Sequence, residues 1–171
     1  IMNKKYLIKA PVSGTMVRLE EVPDEVFSEK ILGDGIAIIP DSTSVVSPVT
    51  GKITSVSETN HAYTIESEDG LDILVHIGLD TVKLKGEGMK ALVKAGDHVR
   101  AGEKIAEVDL EVLKKHEINP ITPVILCNAP DNISLKFSNE TKVAAGKSTI
   151  YSVTDTMAEK AEKVTPADEK H

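Results

Sequence analysis

The sequence predicts an all-β protein: an antiparallel β-sandwich or barrel with a duplicated β motif and one or two short surface helices. The first observation is a series of short runs rich in β-branched and apolar residues, which are typical of strands: YLIKA, GTMVRL, GIAIIP, TSVVS, GKITSV, AYTIES, DILVHI, KIAEV, PVILC, ISLKF and STIYSV. The second is the glycines, prolines and Asp-Gly pair between these runs, which mark reversals of the chain. The third is a repeated segment, because residues 10–16 (APVSGTM) are similar to residues 47–53 (SPVTGKI).

Two segments lack the pattern of strands and are candidates for short helices. Residues 109–116 (DLEVLKKH) begin with an aspartate that can cap the first turn, and they end with basic side chains that favour the C-terminal end of a helix dipole. Residues 22–32 begin with VPDEV, and a proline is tolerated in a first helical turn. We therefore expect a surface helix over 109–116 and an irregular turn or two over 22–32.

The length and the pattern divide the chain into one domain and a tail. A chain of 171 residues can bury a sizeable core as one domain. After Val153 the sequence becomes charged, alanine-rich and poor in large apolar side chains (TDTMAEKAEKVTPADEKH), so it cannot bury enough surface to order itself strongly. We expect a globular domain over residues 1–153 and a flexible, charged tail over residues 154–171.

Composition and charge exclude several classes of protein. A net charge of −7 and an aromatic content of 3% argue against nucleic-acid binding, which relies on basic surfaces and stacking side chains. No apolar run reaches the roughly 18 residues of a membrane span, and the first residues (IMNKKYLIKAPVSG) lack the apolar segment of a secretory signal. The lone Cys127 fits a reducing compartment. These features predict a cytoplasmic protein without direct membrane insertion.

Two histidines flank a predicted hairpin. His76 lies in the apolar run DILVHI, where a titratable ring loses hydration and needs a partner or a function, and His61 precedes the turn sequence ESEDG. A two-residue turn at residues 68–69 would place the rings directly opposite each other, and one at residues 69–70 would place them diagonally, so both turns put the rings on one face. A three-residue loop would put them on opposite faces.

The face that carries the histidines is predicted to be partly apolar. By strand alternation His76 shares its face with Leu74, and the two-residue turns add Tyr63 and Ile65 to it. An apolar patch around ionisable side chains is more typical of a docking surface than of a deep substrate pocket. A histidine in a strand is ordinarily structural, and this alternative stays open for each ring taken alone.

Other chemistries lack the residues they need. No HxH or HExxH motif supplies the three ligands of a catalytic zinc, although His61 and His76 could form half of a zinc site if a partner supplied a carboxylate. The GxSxG elbow of serine hydrolases and the GxxxxGK[ST] phosphate loop are absent. Cys127 has no activating basic cluster and is expected to be a packed thiol, while His98 and His116 are expected to be solvated or to stabilise a helix end.

Four segments together carry a family resemblance. They are HIGLDTVKLKGEG at His76, NHA at His61, VPDEVFSEKILGDGIAI at residues 22–38 and SPVTGKI at residues 47–53. In these segments the chain, from about residue 10 to Val153, resembles the glucose-type enzyme IIA of the bacterial sugar phosphotransferase system. The resemblance implies a β-sandwich phosphotransferase without a cofactor, which accepts a phosphoryl group from the histidine phosphocarrier protein. It would pass that group to the cysteine of an enzyme IIB domain on a separate chain during sugar uptake.

The resemblance also implies roles for individual residues. His76 matches the phosphorylated histidine and His61 its phosphoryl-stabilising partner. Thr59 matches a residue of the hydrogen-bond network at the site, and Gly78 matches the glycine whose carbonyl holds the ring of the nucleophile. The positions that match acidic or apolar partner-docking residues are Asp24, Phe27, Ile31, Leu32, Leu74, Asp80 and Val82.

The expected mechanism depends on which ring nitrogen carries the proton. Phosphoryl transfer asks for little covalent chemistry from the protein, so positioning and charge stabilisation carry most of the catalysis. For His76 to attack through Nε2, its proton must be on Nδ1, and a hydrogen bond to a backbone carbonyl such as that of Gly78 fixes this tautomer. His61 would then donate a hydrogen bond to the phosphoryl oxygens. Asp24 and Asp80 would steer a basic carrier surface by their charge.

Some positions depart from the family pattern, and other functions stay open. Ser57 stands where an aromatic residue is common, and Ile77 and Met89 replace common phenylalanines, which affects partner preference. The resemblance also allows a mainly regulatory protein that binds permeases or kinases in one phosphorylation state. A zinc hydrolase or a lipoyl-type carrier would lack its ligands or its Met-Lys-Met hairpin. The sequence does not choose among glucose, N-acetylglucosamine, sucrose, trehalose and β-glucoside permeases.

Overall fold

The computed structural model describes residues 4–155, and strands dominate this part of the chain. The strands are β1 (Lys5–Lys9), β2 (Gly14–Arg18), β3 (Gly33–Pro40), β4 (Ser44–Val46), β5 (Gly51–Val56), β6 (Ala62–Ser67), β7 (Asp72–His76), β8 (Met89–Ala91), β9 (His98–Val99), β10 (Lys104–Val108), β11 (Thr122–Cys127), β12 (Ile133–Phe137), β13 (Lys142–Val143) and β14 (Thr149–Asp155). Each strand-like run of the sequence forms a strand, so the predicted all-β class is confirmed. The short strands β8, β9 and β13 were missed because two or three residues show no alternation.

The strands form an eight-stranded sheet and two small sheets, and their pairs are antiparallel. The large sheet has the order β13-β2-β3-β11-β7-β6-β5-β9, and the small sheets have the orders β1-β14-β12 and β4-β10-β8. Alternate side chains of β6 and β7 point into the main core, where Tyr63, Ile65, Ile73 and Val75 are fully buried. Antiparallel sheets that bury one face give the sandwich architecture that the sequence predicts.

The helices are short, as the sequence predicts. Helix α2 (Leu110–Lys115) begins at Asp109, whose carboxylate accepts hydrogen bonds from the backbone N–H groups of Glu111 at 3.0 Å and Val112 at 3.3 Å. Helix α1 (Glu25–Ser28) begins at Asp24, which caps Val26 in the same way, so the preceding proline lies before the helix and not in its first turn. Two 3₁₀ turns span Leu19–Glu21 and Thr81–Leu84.

The repeated segment is a structural repeat. The residue before each copy bonds to the proline of the other copy: Lys9 N–H donates to the carbonyl of Pro48 at 3.0 Å, and Val46 N–H donates to the carbonyl of Pro11 at 2.8 Å. Each copy continues into a strand that starts with glycine, β2 at Gly14 and β5 at Gly51. A Cβ atom at either glycine would overlap a carbonyl oxygen of the neighbouring strand, which explains why both copies keep the glycine.

The end of the domain differs slightly from the predicted boundary. Strand β14 runs to Asp155, with Thr154 paired to Lys5, so the first two residues of the predicted tail belong to a sheet. The rest of that tail, residues 156–171, lies outside the described residues. Between residues 4 and 155 no helix is long and apolar enough to cross a membrane.

Candidate functional site

The hairpin of β6 and β7 has a three-residue loop, and this corrects the predicted register. Ala62 pairs with His76, and the loop closes where Ser67 N–H donates to the carbonyl of Leu71 at 2.8 Å. Gly70 at the end of the loop has φ +84°, the left-handed conformation that three-residue hairpin loops favour. Neither two-residue turn is present. The prediction that Tyr63 and Ile65 share the face of His76 is therefore wrong: both point into the core.

The two histidine rings nevertheless meet. Their centroids lie 5.0 Å apart with an interplanar angle of 80°, an edge-to-face contact. Strand β6 begins only at Ala62, and the chain before it turns at Asn60, whose φ is +59°. Strand alternation therefore does not determine where the side chain of His61 points. This local turn, which the sequence argument did not include, brings the rings together despite the three-residue loop.

The ring of His76 is oriented by a backbone carbonyl. Its Nδ1 lies 2.8 Å from the carbonyl oxygen of Gly78. A carbonyl oxygen only accepts hydrogen bonds, so Nδ1 carries the proton and Nε2 keeps a free lone pair. The aromatic ring of Phe27 packs against the imidazole, with the two ring centroids 5.1 Å apart. His76 thus presents an unprotonated Nε2 from a fixed ring.

The carbonyl of Gly78 is held in place by a constrained turn. Gly78 has φ +76°, and a Cβ atom there would lie 2.7 Å from Thr81 Oγ1 and 3.0 Å from the carbonyl oxygen of Asn119. The Thr81 hydroxyl donates to the carbonyl of Ile77 at 2.5 Å, and Leu79 N–H donates to the carbonyl of Asn119 at 2.9 Å. Asn119 and Thr81 were missed as supporting residues, because nothing in the sequence near Asn119 connects it to this turn.

The ring of His61 is held by hydroxyl groups and is almost completely buried, with 8% of its surface exposed. Its Nδ1 lies 2.6 Å from Thr59 Oγ1 and 3.3 Å from Ser57 Oγ. The hydroxyl of Ser57 also accepts hydrogen bonds from the backbone N–H groups of His61 and Ala62, each at 3.1 Å. The predicted residue Thr59 therefore lies in the site, and Ser57 lies there beside it.

Burial lowers the pKa of both histidines. For His76 burial is the main cause, and the Gly78 carbonyl and the carboxylates of Asp24 and Asp80 oppose it in part. For His61 burial is again the main cause, and the neighbouring His76 lowers the pKa further. Both rings are therefore neutral at neutral pH, which a histidine nucleophile requires.

The predicted docking residues differ in how much of their side chains is exposed. Phe27 is buried with its ring packed against that of His76, and the half-buried Leu74 packs against the apolar cluster that includes Phe27. Three others leave much of their side chains exposed: Ile31 at 66%, Leu32 at 42% and Val82 at 57%. We call these three the apolar rim. Of the acidic pair, Asp24 caps α1, and Asp80 is exposed with Lys83 at 4.0 Å.

The remaining candidate side chains lie elsewhere or serve other contacts. Cys127 pairs with Asp72, at the opposite end of β7 from His76, and burial raises the pKa of its thiol. His98 is exposed in β9, and His116 Nε2 lies 3.4 Å from a carboxylate oxygen of Glu87. Within residues 4–155 no three histidine, cysteine or acidic side chains are grouped to hold a metal. A zinc site completed by a partner carboxylate stays a prediction.

Comparison with known proteins places this geometry in a family. The family model described as phosphoenolpyruvate-dependent sugar phosphotransferase system, EIIA 1, matches residues 6–132. The glucose-specific EIIA component of Buchnera aphidicola subsp. Acyrthosiphon pisum is 44% identical over 151 residues, 88% of this chain and 93% of that protein. The N-acetylglucosamine-specific EIICBA component of Klebsiella pneumoniae is 42% identical over 144 residues, 84% of this chain but 22% of that longer protein.

A solved structure agrees with the sequence comparisons. The glucose permease IIA of Mycoplasma capricolum superimposes with a TM-score of 0.77 at 39% identity, and the match covers 89% of this chain and 96% of that one. The fold, the paired histidines and the sequence matches lead to one assignment, which confirms the resemblance read from the sequence. The chain belongs to the EIIA 1 family of the phosphoenolpyruvate-dependent sugar phosphotransferase system.

Proposed function

We propose that this protein is a cytoplasmic phosphoryl carrier for sugar uptake. His76 accepts a phosphoryl group from the histidine phosphocarrier protein and donates it to the cysteine of an EIIB domain on a separate chain. The observation that carries the proposal is the hydrogen bond from His76 Nδ1 to the Gly78 carbonyl, because it leaves the Nε2 lone pair free beside a second imidazole. We take glucose as the first sugar to test, since several relatives are named for it.

The transfer step needs no proton to leave the attacking atom. The lone pair of His76 Nε2 forms the new N–P bond while the N–P bond of the carrier's phosphohistidine breaks, and the electron pair of that bond returns to the carrier's ring. Nδ1 keeps its proton, which stays hydrogen-bonded to the Gly78 carbonyl, and the ring of His76 becomes cationic. Asp24 and Asp80, whose charges already raise the proton affinity of His76, stabilise that cation.

His61 supports the transferring group. With its ring beside that of His76, it can direct an N–H group at the oxygens of a phosphoryl group on Nε2. Such a donor stabilises negative charge as it develops in the transition state. The ring is buried and held by Thr59, so little reorganisation is needed at the moment of transfer.

The surroundings of the site suit protein partners. Ile31, Leu32 and Val82 expose apolar surface close to acidic side chains, and such a surface favours a partner with an apolar centre and basic flanks. A docked partner would also exclude water from the phosphoryl group, which protects it from hydrolysis.

The decisive experiment measures label transfer from a phosphorylated carrier protein. Wild type and a His98→Gln variant, altered at an exposed histidine of β9, should both take up the label. His76→Gln should take up none, because it lacks the nucleophile. Label retained by His76→Gln would overturn the assignment of the accepting residue. Transfer to EIIB domains of different permeases then identifies the sugar.

A regulatory role is the second proposal, and it uses the same surface. Phosphorylation would place a dianionic phosphoryl group on a cationic ring next to the apolar rim, which changes what that rim can bind. A regulator would capture permeases or kinases in one phosphorylation state only. Pull-down with wild type in both states, and with unphosphorylatable His76→Gln, distinguishes this role from simple carriage.

A further inference from the structure

The hydrogen bonds of the Ser57 hydroxyl leave it able only to donate to the ring of His61. Ser57 lies in the loop between β5 and β6, where its Oγ accepts from the backbone N–H groups of His61 and Ala62, each at 3.1 Å. A hydroxyl oxygen has two lone pairs and one proton, so these two bonds fill its accepting capacity. Its remaining proton can point to Nδ1 of His61, 3.3 Å away.

Thr59, the closer hydroxyl, does not choose between the tautomers of His61. Its Oγ1 lies 2.6 Å from Nδ1 and can donate its proton to a bare nitrogen or accept one from a protonated nitrogen. Among residues 4–155 no other hydrogen bond of this side chain restricts the rotation of the hydroxyl. Either tautomer of His61 therefore satisfies Thr59.

We propose that Ser57 is a positioning residue that holds the proton of His61 on Nε2. With a proton on Nδ1, the ring would lose the hydrogen bond from Ser57, whose proton would then meet another proton. With Nδ1 bare, the ring accepts from the hydroxyls around it, and its Nε2–H is free to donate. Ser57 thereby makes His61 the complement of His76: one ring presents N–H and the other a lone pair.

The functional importance of this tautomer rests on the proposed function, because an Nε2–H on His61 has a phosphoryl group to bind only if His76 accepts one. It also gives the departure at Ser57 a physical meaning. No aromatic side chain carries a hydroxyl on Cβ, so here the loop and the tautomer depend on an oxygen that such a residue cannot place there. His61 is only 8% exposed, which limits how far water can replace the lost partner.

Long-range ¹H–¹⁵N NMR of the histidine rings tests the proposal in the unphosphorylated protein at neutral pH. In wild type, the nitrogen shifts of His61 should show Nδ1 unprotonated and Nε2 protonated, with the opposite pattern for His76. Ser57→Ala should move His61 towards a mixture of tautomers, and Ser57→Thr, which keeps the hydroxyl, should restore the wild-type pattern. Thr59→Val should leave the tautomer of His61 unchanged.

Several results would overturn the proposal. They are a protonated Nδ1 on His61 in wild type, an unchanged tautomer in folded Ser57→Ala, or a tautomer change in Thr59→Val. If Ser57→Ala fails to fold, a protonated Nδ1 on His61 in wild type or a tautomer change in Thr59→Val would still overturn the proposal. Because no phosphoryl transfer is measured, a failure here is distinct from a failure of the proposed function, which the labelling of His76 tests.

Discussion

The imidazole of His76 donates from Nδ1 to the carbonyl oxygen of Gly78 two residues further along the chain, at 2.8 Å. This bond both orients the ring and decides which nitrogen can attack. It depends on the backbone of Gly78, whose φ of +76° is one that glycine adopts without strain. The tautomer of the nucleophile is therefore fixed by a turn and not by another side chain.

Replacing Gly78 by alanine should damage the turn and slow phosphoryl acceptance. The new Cβ would meet Thr81 Oγ1 at 2.7 Å and the Asn119 carbonyl at 3.0 Å, in addition to the strain of the left-handed backbone. We expect the free energy of unfolding to fall by about 1–3 kcal/mol. Urea unfolding and the rate of label uptake from the carrier protein measure the two effects.

Gly70→Ala is the matched control for that variant. Gly70 also has a left-handed φ, +84°, but a Cβ atom there would have nothing within 4 Å. It should show the backbone strain without the clash and should leave label uptake unchanged. Equal effects of the two substitutions on uptake would contradict the role given to the Gly78 carbonyl.

The stability of the protein should fall as the pH drops below about 6.5. The pKa values of His61 and His76 are lowered in the folded state from 6.5, so between the folded values and about pH 6.5 the unfolded chain binds more protons. The free energy of unfolding then decreases with falling pH. Urea unfolding of wild type and of the double variant His61→Gln, His76→Gln, over this pH range, checks the slope.

The double variant should show a weaker pH dependence, because it has lost the groups that titrate differently in the two states. Identical slopes for both proteins would mean that other groups cause the effect. Label uptake by wild type should fall at a lower pH than 6.5, since the lowered pKa keeps the nucleophile neutral in mild acid.

Much of the fold could be predicted from the sequence because strand alternation and turn residues are local signals. The hairpin register could not, because Asp69-Gly70 fits both a two-residue turn and a three-residue loop with glycine in the left-handed position. The meeting of the two rings was predicted from an incorrect register. It comes about instead through the turn at Asn60, a single left-handed residue that alternation does not describe.

The supporting residues of the site were harder to predict than its histidines. Gly78 lies two residues from His76, so a local argument reaches it. Asn119 is distant in sequence and acts through its backbone carbonyl, which any residue could supply. For Ser57, only the hydrogen bonds in the structure show which groups its hydroxyl contacts.

A charged side chain on the apolar rim should weaken partner binding without unfolding the protein. Val82 is 57% exposed, so Val82→Glu should change the free energy of unfolding by no more than about 0.5 kcal/mol. It places a charge where we expect a partner to bury apolar surface, so the dissociation constant for the carrier protein should rise by about tenfold or more. Calorimetric titration measures it.

Leu7→Glu provides the comparison. Leu7 is 48% exposed, but it lies in β1, in a separate small sheet. The same change of charge there should leave carrier binding as in wild type. If both variants bind the carrier equally well, the apolar rim is not the docking surface.

His61→Gln should separate the two transfer steps, because they differ in the charge of the attacking group. In acceptance the nucleophile is the neutral ring of His76, whereas in donation the cysteine thiolate brings a further negative charge to the phosphoryl group. His61 can offset that charge by donating from Nε2 of a ring that Thr59 and Ser57 hold in place, whereas a glutamine side chain has no ring nitrogen for these hydroxyls to hold. We expect acceptance to slow by less than about tenfold and donation by about 10²-fold or more, as for loss of a transition-state donor.

Rapid-quench measurements, with labelled carrier for the first step and an EIIB domain for the second, give both rates. Equal slowing of both steps would mean that His61 only holds the ring of His76 in place, through their edge-to-face contact at 5.0 Å.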